Sequence, residues 1–121
     1  MAQRAGDRAE ELVATRLAGD GWRILGRNVR VGRAEVDIVA VDPGPPATLV
    51  IVEVRWRARR DFGLAEETVD RRKRARLRSA AFHLREAGKL PDGTRLPALA
   101  LRFDLVVAEP AGVIRHHRHG A

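Results

Sequence analysis

Apolar residues recur at helical spacing near the start of the chain, then at strand spacing through its middle. From about Gln3 to Ala18, steps of about 100° per residue put Ala9, Val13, Ala14 and Leu17 on one arc, with Leu12 at its edge. Glu10 and Arg16 fall inside that arc, and Gly19-Asp20-Gly21 ends the predicted helix. Trp22 to Val31 alternates weakly and reads as a strand, closed by a Gly32-Arg33 turn. Ala34 to Val41 reads as the next strand. Ala34, Val36, Ile38 and Ala40 point one way; Glu35, Asp37, Val39 and Val41 point the other. Asp42-Pro43-Gly44-Pro45-Pro46 has turn chemistry. The strand from Thr48 to Arg57 opens on Leu49-Val50-Ile51-Val52, the unbroken apolar run of a strand covered on both faces. Val50, Val52, Val54 and Trp56 then share one face, and Ile51, Glu53 and Arg55 the other.

Phe62 to Ala87 reads as a long helix, with Glu66 and Glu67 in its first turns and Gly88 after it. Val69, Lys73, Leu77, Ala80 and Leu84 fall within one arc, so Lys73 lies on or beside the apolar face, while Arg71, Arg74 and Arg78 point outward. A Pro91-Asp92-Gly93 loop leads to a strand over Leu96–Val107, and Val113–Arg115 reads as a short edge strand. The order α-β-β-β-α-β predicts a small α/β domain: a mixed sheet with a central hairpin, flanked by helices. One domain is expected over residues 1–114, followed by a basic His/Arg-rich tail over 115–121.

Composition narrows the classes. The chain has 121 residues and no cysteine, which excludes a disulfide scaffold, a thiolate metal site and a cysteine nucleophile. No apolar run approaches the ~20 residues of a membrane span. Met1 to Glu10 carry mixed charge without an apolar core, so no secretory signal is expected and a cytoplasmic location is. Lys and Arg number 23 against 16 Asp and Glu, a net charge of +7, and 21 of those cations are Arg. From Arg55 to Arg78 there are ten basic and four acidic residues, 10 − 4 = +6, so most of the excess sits in one segment. Such a patch suits a polyanion, nucleic acid foremost, although a solvated basic face need bind nothing.

Asp37 and Glu53 each interrupt a run of Val and Ile, where a charge is costly to bury. They lie on consecutive strands joined by a short turn, so an antiparallel hairpin would set them side by side. Two explanations compete. Either carboxylate can pair with one of the many arginines, or the two, with the inward Glu10, can hold a hard divalent cation such as Mg²⁺ or Mn²⁺.

Glu35-Val36-Asp37, a turn and then Val52-Glu53-Val54-Arg55 resemble the core of the PD-(D/E)XK nuclease superfamily. The wider chain resembles the YraN-like family of small bacterial proteins, themselves similar to archaeal Holliday-junction resolvases in fold and acidic-site layout. The matches are Gly6-Asp7-Arg8-Ala9-Glu10, Gly21-Trp22-Arg23-Ile24-Leu25 with Asn28 after it, Ala34 to Ala40, Val52 to Arg55, Phe62-Gly63 and Arg102-Phe103-Asp104. The resemblance implies a restriction-endonuclease-like αβββαβ core and divalent-metal phosphodiester hydrolysis. Asp37 and Glu53 become the metal ligands, Glu10 a third carboxylate acting directly or through water, and Glu35 an acidic accessory. Arg57, Arg59, Arg60, Arg71, Arg72, Lys73 and Arg74 would hold the phosphodiester backbone.

The family pattern ends in Glu-x-Lys, whereas this chain has Arg55. A lysine there orients or helps activate the attacking water; arginine can donate to water or phosphate but does not deprotonate. If the lysine serves as a base, Arg55 cripples the site. If it only orients, Arg55 suffices. Lys73 is the second candidate for that role, unless it is one more member of the run Arg71 to Arg74. Among other residues, Trp56 reads as packing with Val52 and Val54, with base stacking the alternative. Asp104 reads as pairing with a nearby arginine, and His83 as a packing or surface residue. His116, His117 and His119 read as disordered or phosphate-contacting, a metal site being the alternative. Two functions follow: a nuclease acting on DNA, with branched or structured DNA among its candidate substrates, or a nuclease fold that binds nucleic acid without cutting. A third reading is a protein-interaction domain whose basic face is merely solvated. A homodimer would suit a two-strand substrate, though no residue requires one.

Overall fold

The computed structural model describes residues 2–57 and 71–121. Helix α1 (Ala2–Gly19) is followed by three strands, β1 (Arg23–Val31), β2 (Ala34–Asp42) and β3 (Thr48–Trp56). Helix α2 (Arg71–Ala87) leads to β4 (Ala100–Ala108), a 3₁₀ turn (Pro110–Gly112) and β5 (Ile114–His117). The five strands form one sheet in the order β1-β2-β3-β4-β5. Only β3 and β4 run parallel; the other neighbours are antiparallel. A parallel pair needs a long crossover, and the connection carrying α2 supplies it. This mixed α/β layout has the element order of a restriction-endonuclease-like core, as the sequence predicts.

The two helices cover opposite faces of the sheet. Val13, Leu17 and Trp22 pack with Ile38, Ala40, Val50 and Val52 on the α1 face. Leu77, Ala80, Ala81 and Leu84 of α2 pack with Val39, Leu49, Ile51, Phe103 and Leu105 on the other. The unbroken run at residues 49–52 is therefore divided between two cores, which is why it does not alternate with polar residues. The β1–β2 connection is the two-residue Gly32-Arg33 turn, with Gly32 at φ 60 as a type II′ turn requires at its first central position. Gly26 marks a register shift in β1, where a Cβ would lie 2.6 Å from Leu90 Cδ1.

Several boundaries differ from expectation. The strand predicted from Leu96 starts at Ala100, because Pro97 has no N–H for a ladder. The segment read as a tail from Arg115 contributes most of β5, whose residues pair with Leu105 to Ala108. Ala121 is buried, and its N–H lies 3.4 Å from the Phe103 carbonyl oxygen. Trp56, read as packed, is 41 % exposed; β3 pairs with β2 only from Thr48 to Val52, so residue 56 projects beyond that layer. The part of the long predicted helix before Arg71 lies outside the described residues, as do Arg59, Arg60, Glu66 and Glu67. Among the described residues, no helix is long and apolar enough to cross a membrane.

Candidate active site

The hairpin of β2 and β3 places the first two carboxylates. Ile38 pairs with Val52, and one further step of that register sets Asp37 opposite Glu53. The Val54 N–H donates to Asp37 Oδ2 at 2.8 Å, and the Asp37 and Glu53 side chains hydrogen-bond each other. Glu53 is 2 % exposed. Two cations reach its Oε1: Lys73 Nζ in close contact, and Arg55 Nε at 3.7 Å. Lys73 thus turns inward from α2 onto the site rather than joining the outward arginines.

These groups are electrostatically strained together. Burial pushes the Asp37 carboxyl up, the Glu53 charge pushes it further, and it reaches about 8 despite the Val54 N–H. Two like charges side by side in a desolvated place share either a proton or a cation. Glu10 is also buried. Its carboxyl is raised by that burial, offset in part by Arg27, and raised again by Glu35, Asp7 and Glu53. The Asn28 amide, with its nitrogen turned to the carboxylate, donates to both Glu10 oxygens at 2.7 and 2.9 Å. Asn28 adopts φ 51, a left-handed conformation that asparagine tolerates better than most residues. It lies between the Arg27–Ile38 and Val29–Val36 pairs, level with Asp37. Asn28 belongs to the resemblance motifs, but its hold on Glu10 needs the third dimension to be seen.

A cavity of about 500 Å³ opens over the pair, lined by Arg33, Glu35, Asp37, Glu53, Arg72, Lys73 and Arg76 among others. Glu35 is exposed and 3.6 Å from Arg30. Among the described residues no three acidic or His side chains gather closely enough to hold an ion by themselves. The donor set is instead two adjacent carboxylates, with Glu10 near enough to influence both electrostatically. That set fits Mg²⁺ or Mn²⁺, hard ions commonly held by one or two carboxylates with water and phosphate oxygens completing the shell.

The remaining candidates divide. Arg71, Arg72 and Arg74 are exposed on α2. Arg57, expected on the phosphate-holding surface, is 8 % exposed, and its N–H donates to the Ala108 carbonyl at 2.8 Å. His83 is exposed. His116 is neither disordered nor one of a metal-binding trio: its Nε2 lies 2.8 Å from Asp104 Oδ2, and the His119 N–H donates to Asp104 Oδ1 at 3.1 Å. Arg102 clamps Asp104 through Nε at 2.8 Å and reaches Asp42 Oδ2 at 2.9 Å. The expected pairing of Asp104 with an arginine is therefore observed, within a larger network that includes Asp42, a residue the sequence places only in a turn.

Residues 9–108 match the model of the uncharacterised protein family UPF0102. The chain belongs to this family. It is 38 % identical over 111 residues to a UPF0102 protein of Symbiobacterium thermophilum, covering 91 % of this chain and 86 % of that one. A UPF0102 protein of Moorella thermoacetica is 41 % identical over 105 residues, covering 86 % and 79 %. One from Sorangium cellulosum is 48 % identical over 84 residues, covering 69 % of this chain and 56 % of that one. The span matched by the UPF0102 model contains Glu10, Asn28, Asp37, Glu53 and Lys73, and ends before β5.

Proposed function

We propose that the chain is a divalent-metal-dependent nuclease that hydrolyses phosphodiester bonds in DNA, branched or structured DNA included. The observation that carries this reading is the adjacent Asp37–Glu53 pair, with Glu53 buried and Lys73 on it, lining a cavity that arginines also line. Asp37 and Glu53 would hold Mg²⁺ or Mn²⁺, with Glu10 as the third carboxylate. The ion, when bound, would polarise a phosphate oxygen and lower the pKa of a bound water. The chain's own groups do the rest. The Val54 N–H fixes one Asp37 oxygen, and the bond between the two carboxyl groups holds Asp37 against Glu53. Asn28 fixes Glu10. Lys73 takes the place of the missing Glu-x-Lys lysine, oriented by Glu53, and donates to the attacking water or to a phosphate oxygen. Arg72 supplies fixed charge to the phosphate, whose transition state spreads negative charge over its oxygens. Water adds to phosphorus, the ester bond to the leaving oxygen breaks, and that oxygen leaves with a proton. This activity would be exercised in the cytoplasm; a homodimer would offer one site to each strand of a two-strand substrate.

Incubation of the protein with linear, single-stranded and branched DNA in Mg²⁺ or Mn²⁺ tests the reading. Cleavage is expected, and its persistence in Asp37→Ala or Glu53→Ala would overturn it. A second reading rests on Arg55. If it stands where the reaction needs a lysine, the chain binds nucleic acid without cutting, and Arg55→Lys creates cleavage that the parent lacks.

A further inference from the structure

Three cavities join end to end between the β1–β2 hairpin and α2. The one over Asp37 and Glu53 shares Arg33, Ala34 and Arg76 with a second of about 360 Å³. That second cavity shares Val31, Gly32 and His83 with a third of about 300 Å³, which reaches Lys89. Together they make a groove along α2, from Arg72 near its described start to Ala87 at its end.

The sign of the lining changes along the way. Glu35, Asp37 and Glu53 line the first cavity, while the second and third have no acidic lining residue. Arg33 stands on the hairpin wall, placed there by the Gly32 turn, and Arg76 stands on the helix wall. Neither enters an ion pair among the described residues. By contrast, Arg102, Arg115 and Arg118 are each within ion-pair distance of a carboxylate. Unneutralised guanidinium groups on facing walls attract anions and match phosphate geometry with paired donors. An acidic peptide would meet the same arginines, but its carboxylates would collide with the acidic end of the groove. A phosphodiester chain presents its charges at regular intervals, and at that acidic pole its phosphate would meet the cation that the reading above assigns to Asp37 and Glu53.

We propose that this groove carries the backbone flanking the scissile phosphate, so that the polynucleotide runs from the carboxylate pair past Arg33 and Arg76 to His83 and Lys89. The inference deepens the phosphodiester reading above and rests on it, but binding can be measured without cleavage. Fluorescence anisotropy of labelled single-stranded and branched DNA, and of matching RNA, would be recorded with Ca²⁺ in place of Mg²⁺ or Mn²⁺, a hard cation that neutralises the carboxylate pair, and again in EDTA. The double variant Arg33→Ala/Arg76→Ala is compared with Arg16→Ala/Arg23→Ala, which removes the same charge elsewhere. The groove variant is expected to bind roughly tenfold more weakly. Its slope of log affinity against log salt should fall by about 1.4 for single strands or about 1.8 for duplex, the release expected for two lost phosphate contacts. Equal losses in the two double variants would overturn the groove, and so would an absence of binding by the parent or a preference for polyglutamate over every oligonucleotide. Cleavage separates the two ideas. Unchanged affinity in the groove variant beside Asp37-dependent cutting removes the groove and leaves the nuclease; a specific loss of binding in a parent that never cuts does the reverse.

Discussion

Lys73 and Arg55 both reach the same oxygen of Glu53, yet they are different chemical tools. Lysine is a compact cation whose pKa moves readily in a buried site; arginine stays charged and works as a planar fork. With Lys73 the closer of the two, Lys73→Ala is expected to lower the cleavage rate by about 10²- to 10³-fold, the range of one lost positioned donor to the transition-state charge. Arg55→Lys should leave most of the rate intact. Single-turnover cleavage measures both, and equal losses in Lys73→Ala and Arg55→Ala would deny Lys73 its special role. Asn28 permits a test without catalysis. Its two bonds to the buried Glu10 carboxylate make Asn28→Ala destabilising by about 1–3 kcal/mol, the cost of stranding a buried acceptor, read by urea unfolding. The carboxylates themselves were legible in the chain, because a charge inside a Val/Ile strand contradicts its surroundings. Lys73 was not decided by sequence: the helical arc put it at the border between inward and outward, and only the hairpin's position beneath α2 settles the direction. Arg33 and Arg76 carried no signal of their own, since what distinguishes them from the chain's other arginines is the groove between two distant elements.

At the scale of elements, periodicity recovered both helices' apolar faces and every strand, and it failed where a single residue or a long-range partner decides. Pro97 delays β4, and β5, expected over Val113–Arg115, runs on to His117 because pairing with β4 rather than an apolar pattern holds its Arg and His residues. What holds β5 is Asp104 beneath it. Burial alone would raise the Asp104 carboxyl, but its bonds with His116 and Arg102, joined by the His119 N–H, outweigh that and bring it down to about 2. The sign follows from the depressed value. An unfolded aspartate titrates near about 3.9, so the folded form gains stability that is fully present above that pH and is lost as the pH falls from about 4 through about 2. The stake is about 2.5 kcal/mol by linkage. Asp104→Asn should therefore flatten the acid limb of the stability–pH curve. At neutral pH it should destabilise by about 1.5–3 kcal/mol, because Arg102 loses one of its two carboxylate partners and keeps Asp42. Denaturant unfolding across that pH range measures both effects. An acid limb unchanged in Asp104→Asn would mean that another carboxylate governs acid unfolding.

For the molecule as a whole, the described charge is sorted into two regions. On the α1 face, Asp42 and Asp104 are matched by Arg102, Arg118 and His116, and at the far end of β4 Glu109 is matched by Arg115; these contacts tie β4 and β5 down. Beside α2, Asp37 crowds Glu53, and Arg33, Arg72 and Arg76 line the same cavity. The second arrangement costs folding stability unless something bound there compensates. Binding that compensates must raise the stability of the folded form by mass action, whether or not a bond is ever cut. Under the proposed metal-dependent reading, Mn²⁺ or Mg²⁺ at about a hundredfold its dissociation constant would add about 2.7 kcal/mol, for a chain of this size a Tm rise of roughly 10 °C. Asp37→Asn keeps an oxygen for the Val54 N–H and cannot ionise, so it avoids the cost of holding a carboxyl protonated up to about pH 8. It should make the metal-free protein more stable than the parent and erase most of the metal-dependent rise. Scanning calorimetry with and without the ion, on parent and variant, reads both at once. A rise of equal size in Asp37→Asn would place the ion away from the carboxylate pair, and a metal-free variant less stable than the parent would mean that the pair is held together by its shared proton rather than strained by its charge.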